Sequence, residues 1–262
     1  MVHGKDIYMI RAERFNMITN LANEMDIVTL EELAKRLGVS VATVRRDVEE
    51  LAANGIVEKT RGGIIFCNKK QDSEPSLQRR RYSNMDEKKR IAQAAFEYIK
   101  PNSYYMFDSG STVGNVIGLI PKNFPISIVT YDLSYINELN CLENAEVFIL
   151  GGKLRSGQMA CHSAYAENYL EQMNAYIAFI GADAVDINKG IMSFNMNDIV
   201  FKQKMIKNSD KTILLCDHSK FENRGFISIH GLEGIDLIIT DSGTDPKVIE
   251  QFREAGVKVQ VV

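Results

Sequence analysis

Apolar residues recur through the first 66 positions with a helical period. Between Met9 and Asn23 they fall at Ile10, Phe15, Ile18, Leu21 and Ala22, a set that one helix face can bury. Thr29 then precedes Leu30-Glu31-Glu32-Leu33-Ala34-Lys35-Arg36-Leu37, and Thr29 with Glu32 has the form of a capping box opening a second helix that Gly38 ends. Val39-Ser40 makes a short connection, and Ser40 is placed to cap a third helix over 41–54, closed by Gly55. In that helix Val44, Val48 and Leu51 turn inward, which leaves Ala42, Thr43, Arg45 and Arg46 on or beside the open face. Past Gly55 the pattern reads as two short strands, Ile56 to Thr60 and Ile64 to Phe66, around a turn at Arg61-Gly62-Gly63. Two capped helices, a short turn and a hairpin predict a winged helix-turn-helix domain over 1–66.

Residues 67–90 are polar and carry Pro75 and the runs Arg79-Arg80-Arg81 and Lys88-Lys89-Arg90, so they read as a basic linker leading into a connecting helix. From 91 to 262, helical stretches alternate with apolar runs at 104–108, 126–131, 146–150, 176–181, 212–217, 237–240 and 257–262. Continuous apolar strands separated by helices predict a second, Rossmann-like α/β domain built on a mostly parallel sheet covered on both faces.

Charge divides along the same lines. Net charge is −3 overall, but 1–66 hold nine Lys/Arg against ten Asp/Glu, 67–90 hold eight against four, and 91–262 hold fourteen against twenty. An acidic C-terminal domain repels phosphate, so nucleic-acid contact is expected from a few placed residues at the N-terminal end and from the connector. The four cysteines, Cys67, Cys141, Cys161 and Cys216, have neither disulfide-framework nor zinc-ligand spacing, so no metal or cofactor is expected. With no apolar run long enough to span a bilayer, the chain reads as soluble and cytoplasmic.

The N-terminal pattern carries recognisable chemistry. An arginine near the start of a recognition helix can grip guanine through two hydrogen bonds, while Ser40 and Thr43 can reach phosphate or a base. In the wing, Lys59 and Arg61 can approach the DNA backbone, with Gly62 and Gly63 leaving room. The alternatives are solvated arginines paired with Glu49 and Glu50, and a plain hairpin. The segments TLEELAKRLGVSVATVRRDVEEL and GIVEKTRGG resemble the DeoR family helix-turn-helix. That resemblance implies that Ser40, Thr43, Arg45, Arg46, Arg61 and Gly62 contact or approach DNA, and that Asp47 and Leu51 are structural, with Asp47 orienting a neighbouring arginine.

In a parallel sheet, ligands bind beyond the carboxyl ends of the strands. The polar segments there are Asp108-Ser109-Gly110-Ser111-Thr112, which opens a helix and can cradle an anion; Thr130-Tyr131-Asp132; Gly151-Gly152-Lys153; Gly181-Ala182-Asp183; and Asp217-His218-Ser219-Lys220. Asp183 can accept sugar hydroxyls, and Lys153 or Lys220 can neutralise phosphate. Each segment alone reads more readily as a turn or a helix cap; five on one rim predict a small-molecule pocket. They too resemble DeoR-family elements, and the resemblance implies a sensor with a fold like ribose-phosphate isomerases and sugar-phosphate deaminases and a phosphorylated sugar as effector. Three positions depart from the family pattern: Tyr131 where Asn is usual, Ser163-Ala164 where Gly-Pro is usual, and Ala184 where Gly is usual.

The expected function is a homodimeric or homotetrameric regulator that represses a carbohydrate-use operon by binding double-stranded operator DNA and answers to a sugar phosphate. The alternative is a sugar-phosphate isomerase or deaminase with a DNA-binding appendage, for which the rim offers His218 but no evident second carboxylate beside Asp183. A redox sensor using Cys161 or Cys216 is a third reading, weakened by the apolar setting of Cys216.

Overall fold

The computed structural model describes residues 9–21, 25–53, 56–66, 74–75 and 77–262. Ala22, Asn23, Asn54, Gly55 and Cys67 lie outside the described residues. The chain divides into two compact units, one of residues 1–71 and 78–83 and the other of residues 72–77 and 84–262.

In the first unit, α1 (Arg11–Leu21), β1 (Ile27–Thr29), α2 (Leu30–Leu37), α3 (Val41–Ala53), β2 (Val57–Lys59) and β3 (Gly63–Phe66) follow one another. Ile18, Leu33, Leu37, Val44, Val48 and Leu51 meet in its core, as the helical spacing predicts, but Ile10, counted on the same face, precedes α1 and is 63% exposed. Thr29 Oγ1 accepts from Glu32 N at 3.1 Å, and Gly38 closes α2 in the left-handed region at φ 65°. The Glu32 side chain bonds Arg36 at 2.7 Å. β1 is an element the sequence pattern does not reveal: it makes β3 the centre of a three-stranded antiparallel sheet, order β1-β3-β2. Gly63 is required there, because a Cβ would stand 2.3 Å from the Val28 carbonyl oxygen.

Asp47, buried on α3, locks α1 to the recognition helix. It accepts from Arg14 Nε at 2.6 Å and from a terminal guanidinium nitrogen at 3.0 Å, while Arg11 lies 3.8 Å away. The arginine it orients is therefore one from α1, 33 residues away, and not a neighbour on its own helix. Fork-to-fork pairing of this kind sets angle as well as distance.

The second unit follows α4 (Leu77–Tyr82) and begins its second stretch at α5 (Met85–Phe96). Then come β4 (Tyr104–Phe107), α6 (Ser111–Ile117), β5 (Ile126–Thr130), α7 (Ile136–Leu139), β6 (Ala145–Ile149), β7 (Lys153–Leu154), β8 (Cys161–His162) and α8 (Ala164–Glu171). The chain continues through β9 (Ala175–Ile180), β10 (Ala184–Asp186), β11 (Gly190–Ser193), α9 (Asp198–Lys207), β12 (Ser209–Leu215) and α10 (Ser219–Glu222). It finishes with β13 (Ile227–His230), β14 (Leu237–Thr240), α11 (Pro246–Glu254) and β15 (Lys258–Val261).

All seven apolar runs form one parallel sheet, in the order β15-β14-β12-β9-β4-β5-β6. Successive residues of β9 go to opposite cores, Ile177 and Phe179 to one and Ala178 and Ile180 to the other. Burial on both faces is why these strands are continuously apolar. From β4 the chain moves outward to β5 and β6, then returns to β9 on the other side of β4. That reversal opens a crevice between the carboxyl ends of β4 and β9.

Removing the Asp47 carboxylate strands the Arg14 guanidinium, so Asp47→Ala should destabilise the first unit by about 3 kcal/mol. Denaturant titration of the variant beside the parent measures this, and an unchanged midpoint would show that the pair does not hold the helices together.

Candidate functional site

In the first unit, Ser40 Oγ accepts from Thr43 N at 3.2 Å and lies 2.9 Å from Thr43 Oγ1, fixing the first turn of α3. Arg45 and Arg46 stand exposed on that helix and form no ion pair among the described residues; Glu50 pairs with Arg11 instead. Lys59, Arg61 and Gly62 are exposed in the wing. The residues singled out as DNA-facing thus lie at the start of one helix and in one hairpin, set by a common core.

In the second unit the crevice is organised by Asp108, fully buried at the end of β4. One carboxylate oxygen accepts from Gly181 N at 2.8 Å and from Lys202 Nζ, and the other accepts from the Tyr131 hydroxyl. Lys202 also donates to the Gly181 carbonyl at 2.8 Å. Burial works against its charge, but Asp108, Asp198 and Asp183 together hold its pKa above the ordinary lysine value, so it is cationic. Burial, with Asp108 alongside, keeps the Tyr131 hydroxyl protonated and donating. The departure at Tyr131 therefore has a physical content: its hydroxyl occupies an Asp108 oxygen. Asp108 organises the crevice and does not present an open acceptor to it.

The loop after β4 is similarly committed. Gly110 N donates to Tyr135 Oη at 2.7 Å, and Ser109 Oγ donates to buried Asp132 at 2.8 Å. Thr112 and Thr130 are buried, Ser111 half-buried, and Thr130 Oγ1 accepts from Asp132 N at 3.2 Å. Asp183, also buried, accepts from Phe194 N at 3.0 Å and lies 2.9 Å from Ser193 Oγ. Ser193 Oγ is 3.0 Å from Asp198, whose other oxygen lies 3.2 Å from His162 Nε2. Burial pushes the Asp198 carboxyl up, but His162 and Lys202 outweigh it and hold the group below the usual range. Gly151, Gly152 and Lys153 are exposed. Gly152, at φ 154°, is needed for chain packing, since a Cβ would meet the His162 carbonyl oxygen at 2.5 Å. Ser163 caps α8 by accepting from Ala166 N at 3.1 Å, and Ala184 is buried in β10, so two of the family departures are absorbed locally.

A second buried carboxylate stands at the end of β12. Asp217 accepts through one oxygen from Asn84 Nδ2 at 2.8 Å and from Ser219 N at 3.1 Å and Oγ at 2.5 Å; its other oxygen is buried with no hydrogen-bond partner. Burial raises its pKa, yet Lys220, Lys88, Ser219 and Asn84 together lower it, leaving an ionised carboxylate with one free acceptor. His218 is held by Asp241 at 2.9 Å. Burial pushes up the thiols of Cys161 and Cys216, which keeps both protonated.

Two important residues escape sequence reasoning, Lys202 and Asn84, while Asp132 and Lys88 lie in segments the sequence marks but with internal partners it does not reveal. Lys202 sits mid-helix beside Phe201 and Met205, and a lysine in register with a buried face is the only signal it offers. Groups of His, Cys, Asp and Glu that could hold a metal ion are absent among the described residues, and no described helix is long and apolar enough to cross a membrane.

A winged helix-turn-helix followed by a parallel α/β unit with a polar crevice at its switch point defines a DNA-binding regulator with a sensor domain. The DeoR-like helix-turn-helix model matches residues 14–70, and the DeoR C-terminal sensor domain model matches residues 83–242. The HTH-type transcriptional regulator GlpR of Haloferax volcanii is 34% identical over 96% of this chain and 98% of its own length. The glycerol-3-phosphate regulon repressor of Escherichia coli K12 is 25% identical over 97% of this chain and 100% of its own. A solved ribose 5-phosphate isomerase A from Methanocaldococcus jannaschii overlaps 53% of this chain and 55% of its own at 17% identity and a TM-score of 0.40, too distant to carry an argument. The chain belongs to the DeoR family.

Burial pushes the Asp108 carboxyl up even beside Lys202, so Lys202→Met should leave a buried acid that must take up a proton or stay unpaired, and cost the sensor unit about 3 to 5 kcal/mol. Lys153→Met, at an exposed position, should change stability by less than about 0.5 kcal/mol. Equal denaturation midpoints for the two variants would show that the Asp108–Lys202 pair does not hold the sensor unit together.

Proposed function

We propose that this protein represses a carbohydrate-use operon and is released from its operator by a phosphorylated sugar bound at the carboxyl ends of the sensor strands. The observation that carries this reading is Asp217: an ionised carboxylate, buried, with one oxygen unpartnered, beside the cation of Lys220. A buried acceptor without a donor is costly, and a ligand hydroxyl would satisfy it while Lys220 takes a phosphate. Names of relatives such as the glycerol-3-phosphate regulon repressor support the same class of effector. Catalysis is not proposed, since the relatives above carry the names of regulators; the proposed site of action is the cytoplasm.

On the DNA side, Ser40, Thr43, Arg45 and Arg46 read or position the major groove, while Lys59, Arg61 and Gly62 approach the backbone. Asp217, Ser111, Asp183, Lys153 and Lys220 are the proposed effector-facing groups, with Asp108, Ser109, Gly110, Thr112, Thr130, Gly151 and Gly152 shaping the loops that carry them. Coupling runs through Asn84. It is the residue at which the chain re-enters the sensor unit after 78–83, its backbone lies in the left-handed region at φ 50°, and its side chain is spent on Asp217 rather than on capping α5. An effector that bonds the free oxygen of Asp217 therefore acts on a carboxylate whose other oxygen Asn84 already holds.

In gel-shift titrations against its own promoter region, Arg45→Ala and Arg46→Ala should each weaken operator binding by about 1 to 3 kcal/mol. Lys220→Ala should bind operator like the parent but ignore sugar phosphates; retained release would refute the site. Asn84→Ala should keep both operator and effector binding and lose the response that links them. If its response equals the parent's, the coupling does not pass through Asn84.

A further inference from the structure

Edge strand β6 pairs only with β5 among the described residues, and beside it lies an apolar groove of 510 Å³. Val147, Phe148, Leu150, Tyr165, Tyr169 and Met173 are among its walls, and no wall residue carries a charge. Tyr165 and Tyr169, one turn apart on α8, are 81% and 63% exposed, and Phe148 is 38% exposed. This wall includes Gly151, past the end of β6, which belongs to the proposed effector rim, but it offers no cation to a phosphorylated metabolite. It has the composition of a protein interface core, where tyrosine is enriched and charge is depleted. The opposite edge, β15, carries Lys258, a residue type that blunts strand pairing.

We infer that the β6–α8 face is where a second copy of this chain docks, about a two-fold axis. A two-fold interface must be complementary to itself, and this patch supplies both parts, protruding tyrosines and a groove to receive them, with the exposed Glu146 of β6 and Glu171 of α8 standing outside the groove walls. The three exposed rings alone offer roughly 350 Å² per protomer, taking about 200 Å² per aromatic side chain. That is close to half of the ~800 Å² each partner contributes to a stable interface. A helix-turn-helix reads one half-site, so a two-fold pair supplies the second recognition helix. This inference does not depend on the identity of the effector.

Sedimentation equilibrium of the full chain tests it. The parent should have the mass of a dimer or a multiple of one, and Tyr165→Arg with Tyr169→Arg should reduce that mass at least twofold without changing the circular dichroism spectrum. Phe226→Arg, at a 72% exposed residue elsewhere on the sensor unit, should leave the mass unchanged. If the arginine pair fails to fold, Tyr165→Ser with Tyr169→Ser should still weaken association. A monomeric parent, an unchanged mass in the folded double variant, or dissociation by Phe226→Arg would each overturn the assignment.

Discussion

The sensor unit is arranged around one buried ion pair, Asp108 with Lys202. Asp108 ends the strand from which the chain departs in one direction, and Gly181 ends the strand to which it returns on the other side. The carboxylate and the ammonium both bond Gly181, so the pair joins the two lips of the crevice. A pair without water is held together only if every remaining lone pair and proton is used. Tyr131 and the Gly181 backbone meet that demand, and Asp198 and Asp183 add to the field that keeps Lys202 charged. The rim that remains open is what this network does not consume.

That constraint sorts the polar residues of the rim. Asp108, Asp132 and Gly110 spend their hydrogen-bonding capacity within the protein, whereas Asp217 retains a buried oxygen with no donor. The same distinction appears in the first unit. Asp47 is consumed by Arg14, and Arg45 and Arg46 are left exposed on the helix that Asp47 anchors. In both units a buried carboxylate fixes geometry so that a different set of charges can face outward.

Much of this was legible in the chain itself. The caps at Thr29, Gly38 and Ser40 are local chemistry, and the seven apolar runs announce a parallel sheet because burial on both faces leaves no polar alternation to blur them. Strand β1 is three residues long and has no period to detect. Lys202 reaches Asp108 across 94 residues, and Arg14 reaches Asp47 across 33; no short window contains either pair. For the same reason Asp108 looks like an open ligand from sequence: its neighbours in the chain are polar, but its partners come from β5, β9 and α9. Local spacing marks where a side chain is, and only the assembled fold says whether its bonds are already made.

In the proposed function, one chain couples operator binding to occupancy of the sensor unit by a phosphorylated sugar. Coupling between two binding sites is reciprocal, so the factor by which effector weakens operator binding must equal the factor by which operator weakens effector binding. Calorimetric titration of the sugar phosphate into the protein alone and into its operator complex measures the second factor directly. Effector binding is expected to be weaker in the complex, by the same ratio seen in operator affinity. Equal effector affinity with and without operator DNA would contradict it.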